Sequence, residues 1–299
     1  MSGPAMLAHL LLEKFSGGGL LRIAEPELVM GDEGRNEAFE RMGREDGLLA
    51  FLHLYQSIQI SSLVKPGEKV LDLGCGPASQ LVQIARLNPE AHFLGLDASS
   101  EMLRRGGEAV KRSGVGNVDF IAGDMTRLDG LADASFDCVI STMSLHHLPD
   151  TEALFSTFRA VRRVLKPGGG VYLIDFGRLK RAATQRFFAE DRILEQPESF
   201  TIDYFNSLRA AFSVEELCRA ILPLGEGIGK RQTALAPFMV VFRNAARREP
   251  DPSARSAAGK IYANLNRIQQ KDFRLYARWL KAGGLDLPFQ PFPVRSFRR

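Results

Sequence analysis

From Lys69 onward, short apolar runs alternate with segments whose apolar residues recur at helical spacing. The runs are Lys69–Leu73, His92–Leu96, Val118–Ala122, Phe136–Thr142 and Gly170–Phe176. Each is almost unbroken in apolar residues, as a strand covered on both faces requires. Between them, Ser79–Leu87, Ser100–Arg112 and Thr151–Leu165 have the helical repeat. This alternation predicts a doubly wound α/β fold. Ahead of it, residues 5 to 64 read as helices joined by loops. Leu48, Leu49, Phe51, Leu52, Leu54, Tyr55 and Ile58 lie close on one helical repeat, and Lys65-Pro66-Gly67-Glu68 stops it. Behind it comes an aromatic-rich insertion, 178 to 212. Ser213-Val214-Glu215-Glu216 is a capping box that opens a further helix. The stretches Gly225 to Arg231 and Ala236 to Arg243 are spaced to pair as a hairpin. A polar linker, Arg247 to Ser256, leads to helical spacing over 257 to 282, and the tail after Gly283 is rich in proline. The expected division is a helical cap at 1–64, a core at 65–246 with its insertion at 178–212, and a helical extension at 247–299.

Composition changes this picture little. With 299 residues, 45% hydrophobic and 25% charged, the chain can bury a large core unaided by disulfides or metals. A net charge of +4 is too small to imply nucleic acid. The surplus is concentrated late, at Arg243, Arg247, Arg248, Arg295, Arg298 and Arg299, so any attraction for anions is expected to be local. Cys75, Cys138 and Cys218 form no CxxC pair and make an odd count, which suits a reducing compartment. The apolar start, Met1 to Leu12, lacks a basic leader and ends at Glu13-Lys14, short of a signal peptide or a membrane span. The expectation is a cytoplasmic protein.

The chemistry gathers where the strands end. The first run finishes in Asp72-Leu73-Gly74-Cys75-Gly76-Pro77-Ala78, in which glycines let the backbone turn sharply against a ligand. A dinucleotide site would have a third glycine or alanine where Ser79 stands, and Asp72 would repel a pyrophosphate. Asp72 suits a ligand carrying an ammonium and a sulfonium; its other reading is a turn-capping carboxylate. Asp97, about 20 residues past the loop, is placed to accept from two ribose hydroxyls, or to cap a helix. Gly123-Asp124-Met125 follows the third strand, where Asp124 can accept from an adenine amino group and Met125 can pack on the ring; Asp124 is otherwise a loop carboxylate. Ser141-Thr142-Met143-Ser144-Leu145-His146-His147-Leu148-Pro149-Asp150 follows the fourth. All four signals fall beyond strand carboxyl ends, where open α/β sheets bind ligands.

With these residues in view, the chain resembles the class I S-adenosylmethionine-dependent methyltransferases. The likeness is to the broad group that includes ubiquinone/menaquinone-biosynthesis and small-molecule methyltransferases. It runs from about Lys65 to Arg178, in VLDLGCGPASQ, GLDASSEML, FIAGDMTRL, FDCVISTMSLHHLPD and VLKPGGGVYLIDF. It implies a Rossmann-like, doubly wound seven-stranded sheet, mostly parallel with an antiparallel last strand. It implies S-adenosyl-L-methionine as methyl donor and S-adenosyl-L-homocysteine as product. Asp72, Gly74, Cys75 and Gly76 would hold the methionine part, Asp97 with Ala98 the ribose, and Gly123, Asp124 and Met125 the adenine. Met102 would line the adenine pocket, and the Ser141 carbonyl would lie near the methionine amino group. Many relatives have glycine where this chain has Ala78, so altered loop packing is expected there.

Methyl transfer gains most from holding the acceptor in line, and a base is needed only if the acceptor must lose a proton. His146 and His147 are the candidates, with Asp175 assisting at the end of the fifth strand, as proposed for some natural-product relatives; the pair otherwise only shapes the pocket. No metal-binding carboxylate cluster is apparent, and Glu190 and Asp191 read as a solvated helix face. Tyr55, Phe187, Phe188, Tyr204 and Phe205 are candidates for the acceptor wall, or for plain core. The segment 250–299 is expected to cap the site, make a homodimer contact or bind an acidic partner. The leading expectation is an enzyme acting on a small-molecule acceptor. The rivals are a methyltransferase for RNA or peptide, prompted by the late arginines, and a non-catalytic module that binds an adenosyl ligand.

Overall fold

The computed structural model describes residues 3–26 and 33–292. Arg295, Arg298 and Arg299 lie outside the described residues. The elements in chain order are α1 (Gly3–Phe15), α2 (Glu33–Gly43), α3 (Ala50–Ser61), β1 (Lys69–Leu73), α4 (Ser79–Leu87), β2 (His92–Asp97), α5 (Ser100–Ser113), β3 (Val118–Ala122) and β4 (Phe136–Thr142). A short 3₁₀ turn, Leu145–His147, precedes α6 (Thr151–Val164) and β5 (Leu165–Phe176). Then come α7 (Ala182–Glu190), α8 (Glu198–Ala210), α9 (Val214–Ala220), β6 (Ile228–Gln232), β7 (Met239–Asn244), α10 (Pro252–Asn264) and α11 (Arg267–Ala282).

The seven strands form one sheet in the order β3-β2-β1-β4-β5-β7-β6. Strands β1 to β5 pair in parallel, while β7 runs antiparallel to both β5 and β6. The expected hairpin is β6–β7, with Arg231 opposite Val241. The strand order reverses between β1 and β4, which opens a crevice above their carboxyl ends. Burial explains the unbroken apolar runs: Val70, Leu71, Leu73, Cys138, Val139 and Ile140 are each at most 1% exposed.

Three local features position the site. Ser99 caps α5 by accepting the Met102 N–H, which fixes the turn after β2. Glu40 on α2 pairs with Arg105 and Arg112 of α5, tying that helix beside the glycine loop. An extended stretch from Ser16 to Pro26 crosses the surface as a strap. Its Arg22 lies 4.0 Å over the Phe212 ring and donates to the carbonyls of Ala210, His146, Leu148 and Pro149.

The helical spacing over 257–282 is two helices, parted at Leu265-Asn266. Asn266 forms a capping box with Gln269 and restarts the chain in a new direction. Both helices share a core with α3 and the sheet through Tyr262, Phe273, Tyr276 and Leu280. The late arginines that are described are spent inside the fold. Arg247 pairs with Glu68 at 2.6 Å, Arg243 donates to Gln59 and Ser62, and Arg248 to the Ser61 carbonyl. Among the described residues no helix is long and apolar enough to cross a membrane.

Candidate active site

A cavity of ≈ 320 Å³ opens at the carboxyl ends of β1, β2, β4 and β5, a size suited to small molecules. Asp72, Gly74, Cys75, Gly76, Asp97, Ala98, Met102 and Met125 face it at one end. His146, His147, Phe176 and Tyr204 face it at another part of its wall.

The glycine loop is shaped by close approach. Gly74 has φ +69°, and a Cβ there would lie 2.5 Å from the Ser144 Cβ. Ser144 cannot retreat easily, because its hydroxyl donates to the Leu73 carbonyl and pairs with the Ser141 hydroxyl at 2.7 Å. The departure at Ala78 has a backbone consequence: it precedes α4 with φ 57°, a left-handed conformation that glycine takes without strain.

The two acids at this end differ. Asp97 accepts the Gly76 N–H through Oδ2 and the Ser99 N–H through Oδ1, both at 2.9 Å, so it clamps the loop as well as facing the cavity. Burial raises its pKa against those bonds. Asp72 is 3% exposed and its Oδ1 has no hydrogen-bond partner. Burial, then the Asp97 charge, push its carboxyl up to about 8. An orphaned, buried carboxylate oxygen facing a cavity fits a cationic ligand group, which would supply the missing donor and favour the charged form. Burial and the two acids hold the Cys75 thiol well above the usual range, which disfavours its thiolate form.

The histidine end is built on β5 and the turn after β4. Asp175 is 3% exposed and accepts the His146 ring at Nδ1 (2.7 Å) and the His146 backbone N–H (3.1 Å). That pair fixes the Nδ1–H tautomer and leaves Nε2 with the lone pair. Burial works against a charged His146, but Asp175 outweighs it, with help from Glu25, and the pKa rises. His147 moves the other way: burial first, then His146, pull it down to about 3, so it is neutral.

Other expected residues are placed elsewhere. Asp124 is exposed and accepts the Thr126 N–H, and neither it nor Gly123 faces the cavity, although Met125 does. Ser141 and Asp175 are buried behind Ser144 and His146. Tyr55 is fully buried against Phe273 and Tyr276, one layer behind the wall. Phe187 stacks on His9 at 4.4 Å, while its neighbour Phe188 faces the cavity. Phe205 lies under Arg186 and Arg209. Of the two acids expected to be solvated, Glu190 is, but Asp191 lines the cavity.

Sequence reasoning missed several wall residues. Phe39 and His53 come from the helical cap, and burial holds His53 down at about 4. Asp272 and Tyr276 come from the extension, one helical turn apart on α11; that spacing was the available signal. Trp279 backs this wall, stacked on Phe238 at 5.4 Å and donating to the Ala234 carbonyl. Glu25 of the strap was also missed. Its Oε1 lies 4.0 Å from His146 Nε2 and 3.8 Å from His147 Nδ1.

Comparison with known proteins converges on this core. A family model described as a methyltransferase domain matches residues 64–212. A demethylmenaquinone methyltransferase from Listeria welshimeri is 35% identical over 152 residues, covering 48% of this chain and 63% of the relative. A sterol 24-C-methyltransferase from Gibberella zeae is 37% identical over 115 residues, 36% of this chain and 28% of that one. The chain therefore spans less than two thirds of the length of these relatives. Among solved structures, a SAM-dependent methyltransferase from Aquifex aeolicus aligns with a TM-score of 0.52 at 18% identity, covering 72% of this chain and all of that one. The plantazolicin methyltransferase, solved with SAH, aligns at 0.51 and 14% identity, over 80% and 96%. At such identities the likeness is one of fold.

Proposed function

We propose that this chain, which carries a class I S-adenosylmethionine-dependent methyltransferase domain, transfers a methyl group to an apolar, ring-bearing small molecule that gives up a proton in the reaction. The observation that carries this reading is the sharing of one cavity by the orphaned Asp72 carboxylate and the carboxylate-held His146. When bound, S-adenosylmethionine supplies an electrophilic methyl group on a sulfonium. Asp72 receives the ammonium group of the donor, and the Gly74–Gly76 loop lets the backbone approach it. Asp97 receives the ribose hydroxyls, and Met102 and Met125 cover the adenine. The acceptor lies on the aromatic wall of Phe176, Phe188, Tyr204 and Phe238. His146 takes the acceptor's proton at Nε2, and Asp175 holds the ring in the required tautomer and stabilises its charged form. Preorganised contacts of this kind are where in-line transfer gains its rate.

The named relatives make demethylmenaquinone, in its reduced form, the first acceptor to try. Purified chain is incubated with methyl-labelled S-adenosylmethionine and the reduced quinone, with a sterol as the comparison. Label in the quinone, abolished in His146→Ala, supports the reading. Tight binding of S-adenosylhomocysteine without transfer to any apolar acceptor would favour the non-catalytic module. The RNA alternative predicts salt-dependent RNA binding. Commitment of Arg243, Arg247 and Arg248 to internal partners speaks against it.

A further inference from the structure

Glu25 stands outside every motif of the core. It sits on the strap, ahead of every strand of the sheet, yet its side chain is 5% exposed and faces the cavity. The Ser207 hydroxyl of α8 donates to its Oε1 at 2.7 Å. The strap that carries it is fastened to the turn after β4, because Arg22 donates to the carbonyls of His146 and Leu148. Glu25, His146 and His147 thus place three polar atoms within 4.8 Å of one another. The 4.0 Å between Glu25 Oε1 and His146 Nε2 is too long for a direct hydrogen bond, but leaves room for an acceptor atom in contact with both.

We infer that Glu25 is a positioning residue for the base, a second carboxylate that meets His146 at the Nε2 edge while Asp175 holds the Nδ1 edge. This rests on the methyl-transfer reading above. In the step it serves, the bond between the acceptor atom and its proton breaks and an N–H bond forms at His146 Nε2. The electron pair released on the acceptor would form the new bond to the donor's methyl carbon as the methyl–sulfur bond breaks, its pair staying on the sulfur of the departing S-adenosylhomocysteine. The ring becomes an imidazolium between two carboxylates, and His147, neutral beside it, adds no charge. Among the described residues, the charged and titratable groups facing His146 are Asp175 from β5, Glu25 and Arg22 from the strap, and His147 from its own turn. Arg22 opposes the imidazolium, so the two carboxylates must outweigh it.

The test needs no acceptor. The chain has five histidines, so ring-labelled histidine can be followed by NMR titration in the full-length protein freed of metal with EDTA. His146 is assigned by its loss in His146→Asn, and the exposed His92 serves as the internal standard. In Glu25→Gln the His146 midpoint should fall by roughly one pH unit or more, the effect of removing an opposite charge at this range. Glu25→Asp, which keeps the charge and draws it back, should fall by less; it also carries the test if the glutamine variant does not fold. Midpoints equal to wild type in both folded variants would overturn the inference. Once an acceptor is known, the acidic limb of kcat should move to lower pH in Glu25→Gln. Because the titration is read without turnover, a failure of the methyl-transfer reading would appear as absent transfer beside a shifted midpoint.

Discussion

Replacing Asp72 with asparagine should stabilise the free protein at alkaline pH and weaken donor binding. The carboxyl's pKa is about 8 in the fold against 3.8 as the ordinary value. It is therefore raised, and its contribution to stability is fully present below about pH 4 and lost as pH rises through about 8. The difference, about 4 units at 1.36 kcal/mol each, sets a loss of ~5–6 kcal/mol at high pH, and ~4 kcal/mol of that has gone by pH 7. Asparagine keeps the shape and removes the titration. Free Asp72→Asn should therefore melt several degrees above wild type at pH 8, at roughly 2–4 °C per kcal/mol, and converge with it near pH 4–5. Donor affinity should move the opposite way, falling at least about tenfold, since a buried charge-assisted bond to the ammonium is lost. Calorimetric melting from pH 5 to 9 reads the first effect. Titration with S-adenosylhomocysteine in two buffers of different ionisation heat reads the second, with proton release at pH 7 in wild type and none in the variant. Equal melting at pH 8, or unchanged affinity, refutes the reasoning.

The remaining predictions concern the scaffold. Gly74→Ala should abolish S-adenosylhomocysteine binding, because its Cβ would meet Ser144 at 2.5 Å in a left-handed conformation. Ala78→Gly should remain within about 1 kcal/mol of wild type in chemical denaturation, relief at φ 57° offsetting one lost buried methyl. Trp279→Ala should cost ~3–5 kcal/mol and raise the acceptor KM more than it weakens donor binding, since its ring backs Phe188 and Phe238. In Arg22→Ala, four carbonyl contacts of the strap disappear, and limited proteolysis should cut between residues 16 and 26 before the core.

What the sequence made legible follows from how each residue is carried. Asp72 and Asp97 end apolar runs, and a parallel sheet sends every such end to the same edge, so two residues 25 positions apart had to meet. The same logic reached His146, on the turn after a strand end, while Asp175, near the end of β5, was implied by the resemblance to relatives. Helices obey a different constraint. Adjacent side chains diverge by about 100°, so Phe187 and Phe188 cannot both face one cavity, and which one does depends on how α7 lies against α8 and α11. Tyr55 and Tyr276 show the same dependence between elements: both are aromatic and buried, and only the packing of α11 over α3 puts Tyr276 at the wall with Tyr55 behind it. The capping box at Asn266 had no apolar period to announce it inside a stretch that repeats helically on either side. Glu25 lacked even a helical period, since an extended strap is positioned by what grips it. Its grip is Arg22 on the carbonyls of the histidine turn, a side-chain-to-backbone contact that leaves the partner residue types almost unconstrained. The part of the cavity built by the sheet is thus readable from strand ends, while the part walled by the three additions has a register set only in three dimensions. On the proposed reading, the first part holds the methyl donor and the second selects the acceptor.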